Sequence, residues 1–230
     1  MAWILLPVVW VLPALQRGDY DTALRRMRWC RWCLAAPLLH ASVLIYADRL
    51  GDAEEVLRPP VAKGRYGHHT LACALLYANR LDEARQLIEE AMRRQPEQEA
   101  YRGTLAEILL RGGLRTPAVV EHADAAVRSA GCGALDTKIN PNQRAEYHAI
   151  RAWARAAAGD RPGAFEDEEQ AMALCVSRIP YAVGEVGCLL GQARREMGDA
   201  EGARRHFERA RAADPRGLSG RLSAEALASS

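Results

Sequence analysis

The chain has 230 residues, 49% hydrophobic and 26% charged, with 31 Lys and Arg against 29 Asp and Glu. A net charge of +2 gives no global drive toward nucleic acid, and six cysteines in a chain this long do not make a disulfide-stapled scaffold, so a reduced cytoplasmic state is expected. With only two Phe, the core has to come from close helix approach at small residues rather than from bulky rings.

Residues 1–16 are nearly all apolar, with Trp3, Ile4, Leu5, Leu6, Val8, Val9, Trp10, Val11 and Leu12 in succession. Several readings stand side by side: the first helix of a helix pair, a segment that contacts or enters a membrane, a signal peptide, or the remnant of a longer chain. Sixteen helical residues reach only ~24 Å, short of a ~30 Å hydrocarbon core. Pro7 and Pro13 weaken a spanning helix further. A signal peptide would want an early Lys or Arg and a small-residue cleavage site. If the segment inserts, the basic run after it favours a cytoplasmic C-terminal side. As a pair helix, it would bury Trp3, Leu6 and Trp10 against Ala23, Met27 and Cys30.

Gly18-Asp19-Tyr20 opens the next helix, whose Arg and Trp residues interleave as on some nucleic-acid surfaces, but no other basic cluster supports that use. Residues 38–50 form a helix with His40, Val43, Leu44 and Ala47 inward. Gly51-Asp52-Ala53 starts a helix that Pro59-Pro60 cuts short. Residues 61–67 are then a loop whose Lys63, Arg65 and Tyr66 make a candidate binding edge. Helices follow over residues 69–80, 82–94, 101–111 and 117–129, the last with Thr116 as cap and Pro117 at its first position. Residues 130–142 are an inserted loop rich in Gly and Asn-Pro. Residues 144–158 and 161–175 pair, and 176–181 is a smaller insertion. In the tail, residues 216–230, Leu218, Leu222 and Leu227 support a capping helix over the last pair.

Residues 190–215 organise the rest. Leu190-Gly191, Gly198, Ala203, Phe207, Ala210 and Pro215 place small and apolar residues at i, i+4 and i+7, with a turn glycine before them and a helix-ending proline after. Taking Ala203 as a phase marker, the equivalents upstream are Ala164, Ala118, Ala84, Val56 and Ala23, at intervals of 39, 46, 34, 28 and 33 residues. Turn glycines recur at Gly18, Gly51, Gly113, Gly159 and Gly198, each five residues before its marker. This pattern resembles the tetratricopeptide repeat (TPR), whose period is about 34 residues. The resemblance covers nearly the whole chain. It implies an all-α, right-handed solenoid of about six antiparallel helix pairs, one domain over residues 1–230, with a concave groove.

No phosphate loop, dinucleotide fingerprint or zinc-protease helix is present in the sequence. Cys30-Arg-Trp-Cys33 has redox or half-zinc spacing but lacks a second such pair, a nearby His and a βαβ context. His68 and His69 are adjacent, so on a helix they point apart, and His40, His68 and His148 each stand 16 residues before their own marker, which spreads them along the array. Glu168 occupies the slot of Ile88 and Phe207 in neighbouring repeats, so a buried pair with Arg151 or Arg155 is expected.

Proteins with this repeat bind peptides or proteins, and the resemblance therefore implies a noncatalytic protein- or peptide-binding scaffold in the cytoplasm. No metal, cofactor, nucleic acid or small-molecule substrate is expected. The family's groove is lined by first helices, which carries over to Thr70, Cys73, Tyr77, Thr104, Glu107, Arg111, Trp153 and Gln192 as contact residues. They do not form the Lys/Asn/Arg clamp of carboxylate-binding repeats. The alternative is an assembly factor anchored at the inner membrane, facing the cytoplasm, by residues 1–15. A third reading is an enzyme, redox or metal protein with a Cys/His site in the 130–142 loop.

Overall fold

A computed structural model describes residues 10–29, 36–98, 100–129, 141–175 and 179–229. Among these residues every regular element is a helix. A short one covers residues 10–15. The rest are α1 (Tyr20–Trp29), α2 (Ala36–Tyr46), α3 (Leu50–Ala62), α4 (His68–Tyr77), α5 (Leu81–Arg94), α6 (Ala100–Arg111), α7 (Pro117–Ser129), α8 (Pro141–Ala157), α9 (Arg161–Leu174), α10 (Pro180–Glu196), α11 (Ala200–Ala213) and α12 (Leu218–Ala228).

The local reasons are legible in α5 and α11. In α5, Asp82 and Glu83 sit in the first turn and Arg93 and Arg94 in the last, each matching the helix dipole. Ala84, Ile88 and Ala91 bury on one face. In α11, the Asp199 side chain caps the Gly202 amide at 2.8 Å, and Ala203, Phe207 and Ala210 bury at the same spacing. A Cβ on Gly191 would lie 2.4 Å from Phe207 Cε1. The missing side chain is what lets α10 and α11 cross closely.

Each helix packs on the next in sequence. The even-numbered helices α2, α4, α6, α8, α10 and α12 also touch one another in turn, and α12 returns to α2. They enclose a common interior. The seam is held by Tyr20 Oη donating to Asp214 Oδ1 at 2.7 Å and Arg221 Nε donating to Asp48 Oδ2 at 2.7 Å. The rings of Tyr46 and Tyr181 stack beside it with centroids 3.9 Å apart. So α12 packs on α10 and α11 and reaches α2 as well.

Several expectations are corrected. Gly18, Gly113, Gly159 and Gly198 take positive φ at their turns, but Gly51 lies inside α3. The left-handed residue there is Asp48 (φ 58°), and in the next unit Asn79 (φ 59°). Asp and Asn tolerate that region because their short polar side chains bond locally. The marker of the second unit is therefore Ala53, fully buried with Leu57 one turn on, rather than Val56. Ala118 is exposed and Val119 buried in its place, because Leu114–Thr116 lengthen the preceding turn. The other markers, Ala23, Ala84, Ala164 and Ala203, are buried.

Pro59 and Pro60 do not stop α3, which runs on through Ala62. Proline φ suits a helix, and the amides of Lys63, Gly64 and Arg65 close on the Pro59, Val61 and Pro60 carbonyls. Pro141 and Asn142 belong to α8 and not to the inserted loop, and Pro180 and Tyr181 belong to α10. Both helices open on proline, whose lost amide costs nothing at a first turn. Residues 130–140 and 176–178 lie outside the described residues, as do Trp3, Leu6, Cys30 and Cys33.

Trp10 is 46% exposed; Val11, Ala14 and Leu15 bury instead. Arg26 Nη1 donates to the Trp10 carbonyl, and its guanidinium lies over the indole ring. Among the described residues no helix is long and apolar enough to cross a membrane. Finally, Arg151 and Arg155 pair with Asp167 at 2.6 and 2.9 Å, not with Glu168. One residue is 100° of helix, and Asp167 is the one that faces α8. Glu168 points toward the following unit and binds Arg194 at 2.7 Å.

Candidate functional site

The enclosed interior holds a cavity of about 280 Å³ whose wall comes from five helices. α2 supplies Ser42 and Tyr46; α4 His69, Thr70, Cys73 and Tyr77; α6 Thr104 and Glu107; α8 Asn142, Gln143, Glu146 and Tyr147; α10 Tyr181 and Glu185. A second lobe shares Tyr46, Tyr77, Glu107, Tyr181 and Glu185, and adds Arg111, Cys188, Asp214 and Ser219. The convergence follows from the packing of alternate helices on one another. Each even-numbered helix turns one stripe toward its even-numbered neighbours, and the stripe's polar residues share the space they leave.

Of the expected contact residues, Thr70, Cys73, Tyr77, Thr104 and Glu107 line the first lobe, and Arg111 the second. Trp153 is buried behind Arg111, its ring centroid 5.9 Å from the guanidinium carbon, and Nε1 donates to Glu196 Oε1 at 3.4 Å. Gln192 lines a separate recess with Arg195 and Phe207. Lys63, Arg65 and Tyr66 are exposed at the α3–α4 turn and line neither lobe. Sequence reasoning missed Tyr46, Glu146, Tyr181, Glu185 and Asp214.

The electrostatics are lopsided. Glu107 is buried and accepts from Arg111 Nε at 2.9 Å. Arg111 also lies over the Tyr77 ring, 5.3 Å from its centroid, so its charge is committed. Glu185 Oε1 accepts from Tyr77 Oη at 2.9 Å. Burial pushes the Glu185 carboxyl up to about 7, and the Glu107 charge adds to the rise. Burial, then the carboxylates of Glu185 and Glu107, holds Glu146 well above the usual carboxylate range. Burial also raises Asp214, against the hydrogen bond from Tyr20.

At the other end, His69 Nε2 and Thr104 Oγ1 lie 2.9 Å apart, with Cys73 Sγ 3.8 Å from the same nitrogen. The imidazole stacks on Tyr101, centroids 4.9 Å apart. Burial pushes His69 down to about 4 and pushes the Cys73 thiol up. At neutral pH both are uncharged, the reverse of an activated thiolate–imidazolium pair. His148 is spent on Asp167 at 2.8 Å, and His68 is buried apart from this cluster on a different face of α4. No set of three or more His, Cys, Asp or Glu with metal-holding geometry occurs among the described residues.

No protein-family model matches the sequence, and no curated protein matches it either.

Proposed function

We propose that this chain is a noncatalytic recognition module that receives a protein or peptide segment at its inner face. The observation that carries the reading is the convergence of polar and aromatic side chains from five helices on one cavity. A core built only for stability would fill that space with apolar groups, since unpaired buried polar groups cost free energy. The neutral His69 and Cys73 support binding over covalent chemistry. The repeat pattern adds the expectation of a TPR-like, right-handed array of about six helix pairs working in the cytoplasm.

A peptide library displayed against the full chain tests this. Captured peptides should compete with one another and lose binding when Thr104→Trp fills the cavity. Binding that is indifferent to that change would sink the reading.

One observation favours a second reading, a module attached to the cytoplasmic face of the inner membrane. Trp10, Leu12 and Trp29 are exposed, Trp29 by 79%, beside Arg25, Arg26 and Arg28. Exposed indoles among arginines suit a membrane interface. Full-length protein found entirely in the soluble fraction would end it.

A further inference from the structure

The two lobes of the interior carry four carboxyl groups, Glu107, Glu146, Glu185 and Asp214, against one arginine. That arginine is already taken by Glu107. Glu146 stands at the cavity wall, and among the described residues none donates a hydrogen bond to it or forms an ion pair with it. Asp214 is 1% exposed, and its Oδ2 is buried without a hydrogen-bond partner. Stacked Tyr46 and Tyr181 form an aromatic wall shared by both lobes. An unpartnered Glu146 next to Glu185, whose one hydrogen bond is from Tyr77, beside π-faces and with no free cation among the lining residues, is the complement of an ammonium group.

Resting on the reading of the inner face as a recognition surface, we propose that the cavity is an amine-binding site that takes a primary alkylammonium group between Glu146, Glu185 and the Tyr46–Tyr181 pair. A volume of about 280 Å³ sits near the lower end of small-ligand pockets, which run about 300–1,000 Å³. That admits an aminoalkyl chain and excludes a folded element. The shared chemistry has two sources, a lysine side chain of a bound polypeptide or a free diamine.

The titratable groups around Glu146 and Glu185 are Glu107 and Arg111 from α6, Cys73 and Tyr77 from α4, Tyr46 from α2, Tyr147 from α8, Tyr181 from α10 and Asp214 before α12. The one cation among them, Arg111, is paired with Glu107, so an entering ammonium restores ionisation of Glu146 and Glu185 and releases protons. Binding then weakens as pH falls through about 7, where Glu185 takes up its proton.

The test is calorimetric titration of the full-length chain with three probes: acetyl-Gly-Gly-Lys-Gly-Gly-amide, the same peptide with Glu for Lys, and 1,5-diaminopentane. The expected result is binding of one or both amines, no binding of the Glu peptide, and at least about tenfold weaker binding in Glu146→Gln. Glutamine matches the uncharged Glu146 of the free protein in size and charge, so the thermal midpoint should be kept, which separates lost binding from misfolding. A tighter Lys peptide assigns the site to a polypeptide lysine, and a tighter diamine assigns it to a free amine. Failure of both amines to bind at about 10 mM, or unchanged binding in Glu146→Gln, overturns the amine site. A library peptide lacking any basic residue that still needs the cavity would also overturn it, while leaving the recognition-module reading intact.

Discussion

Tyr20 Oη donates to Asp214 Oδ1 across 2.7 Å, joining residues 194 positions apart. Both side chains are buried. The bond lies on the seam where α12 meets the start of the array, so it tests whether closure stabilises the fold. Tyr20→Phe keeps the ring and removes the donor, leaving a desolvated carboxyl without it. A loss of about 1–3 kcal/mol is expected in urea denaturation. An unchanged midpoint would mean that this bond contributes nothing to closure of the seam.

Adjacent acids on α9 should differ sharply. The Asp167 side chain is 1% exposed and holds Arg151 at 2.6 Å, Arg155 at 2.9 Å and His148 at 2.8 Å. Asp167→Ala leaves two half-buried guanidiniums with only their weaker partners, Asp124 at 3.2 Å and Asp160 at 3.9 Å, and should cost about 3 kcal/mol. Glu168 is 13% exposed and shared by Arg194 and His206. Water reaches that pair more readily, and Glu168→Ala should cost about 1–3 kcal/mol. Equal losses, or the opposite order, would contradict the facing of α9 described above.

The helical period made most buried faces legible, because an i, i+4, i+7 stripe permits one inward face. It failed where glycine was equated with a turn. Asp48 and Asn79 hold the left-handed positions, and the resulting slip from Ala53 to Val56 kept Ser42 and Tyr46 out of view. Thr70, Cys73, Tyr77, Thr104, Glu107 and Arg111 were readable as cavity residues because the first-helix stripe was known. Glu146 and Glu185 carried a signal that went unused: each stands 13 residues before the turn glycine of its unit, Gly159 and Gly198. Asp214 was out of reach, since its role comes from closure between chain ends and not from any local pattern.

Two glycine substitutions separate the turn from the helix. Gly198 has φ 74°, where a Cβ strains the backbone, while a Cβ at Gly51 would meet nothing within 4 Å. Gly198→Ala should destabilise by about 1–2 kcal/mol. Gly51→Ala should stabilise by about 0.5–1 kcal/mol, since alanine is the better helix residue. Thermal denaturation of the two variants beside the parent decides it. A destabilised Gly51→Ala would restore Gly51 as a turn.

The interior carboxyls give the fold an unusual pH dependence. Burial and the neighbouring Glu107 charge hold Glu185 at about 7, so between the unfolded value and 7 the native state binds the proton more tightly. Stability from this group is full below the unfolded carboxyl range and is lost as pH rises through about 7. Buried histidines oppose it in part: burial holds His69 at about 4, so its contribution is lost as pH falls from the ordinary imidazole range through 4. Both trends overlap in the whole protein, and the difference between Glu185→Gln and the parent isolates the first. Glutamine can still accept from Tyr77 and carries no charge toward Glu107 or Glu146. At pH 4 the two proteins should melt together. By pH 8 the variant should be the more stable by about 1–3 kcal/mol, the free-energy equivalent of one to two pKa units. A pH-independent difference, or a variant that loses stability as pH rises, would show that Glu185 is ionised at little cost in the native interior.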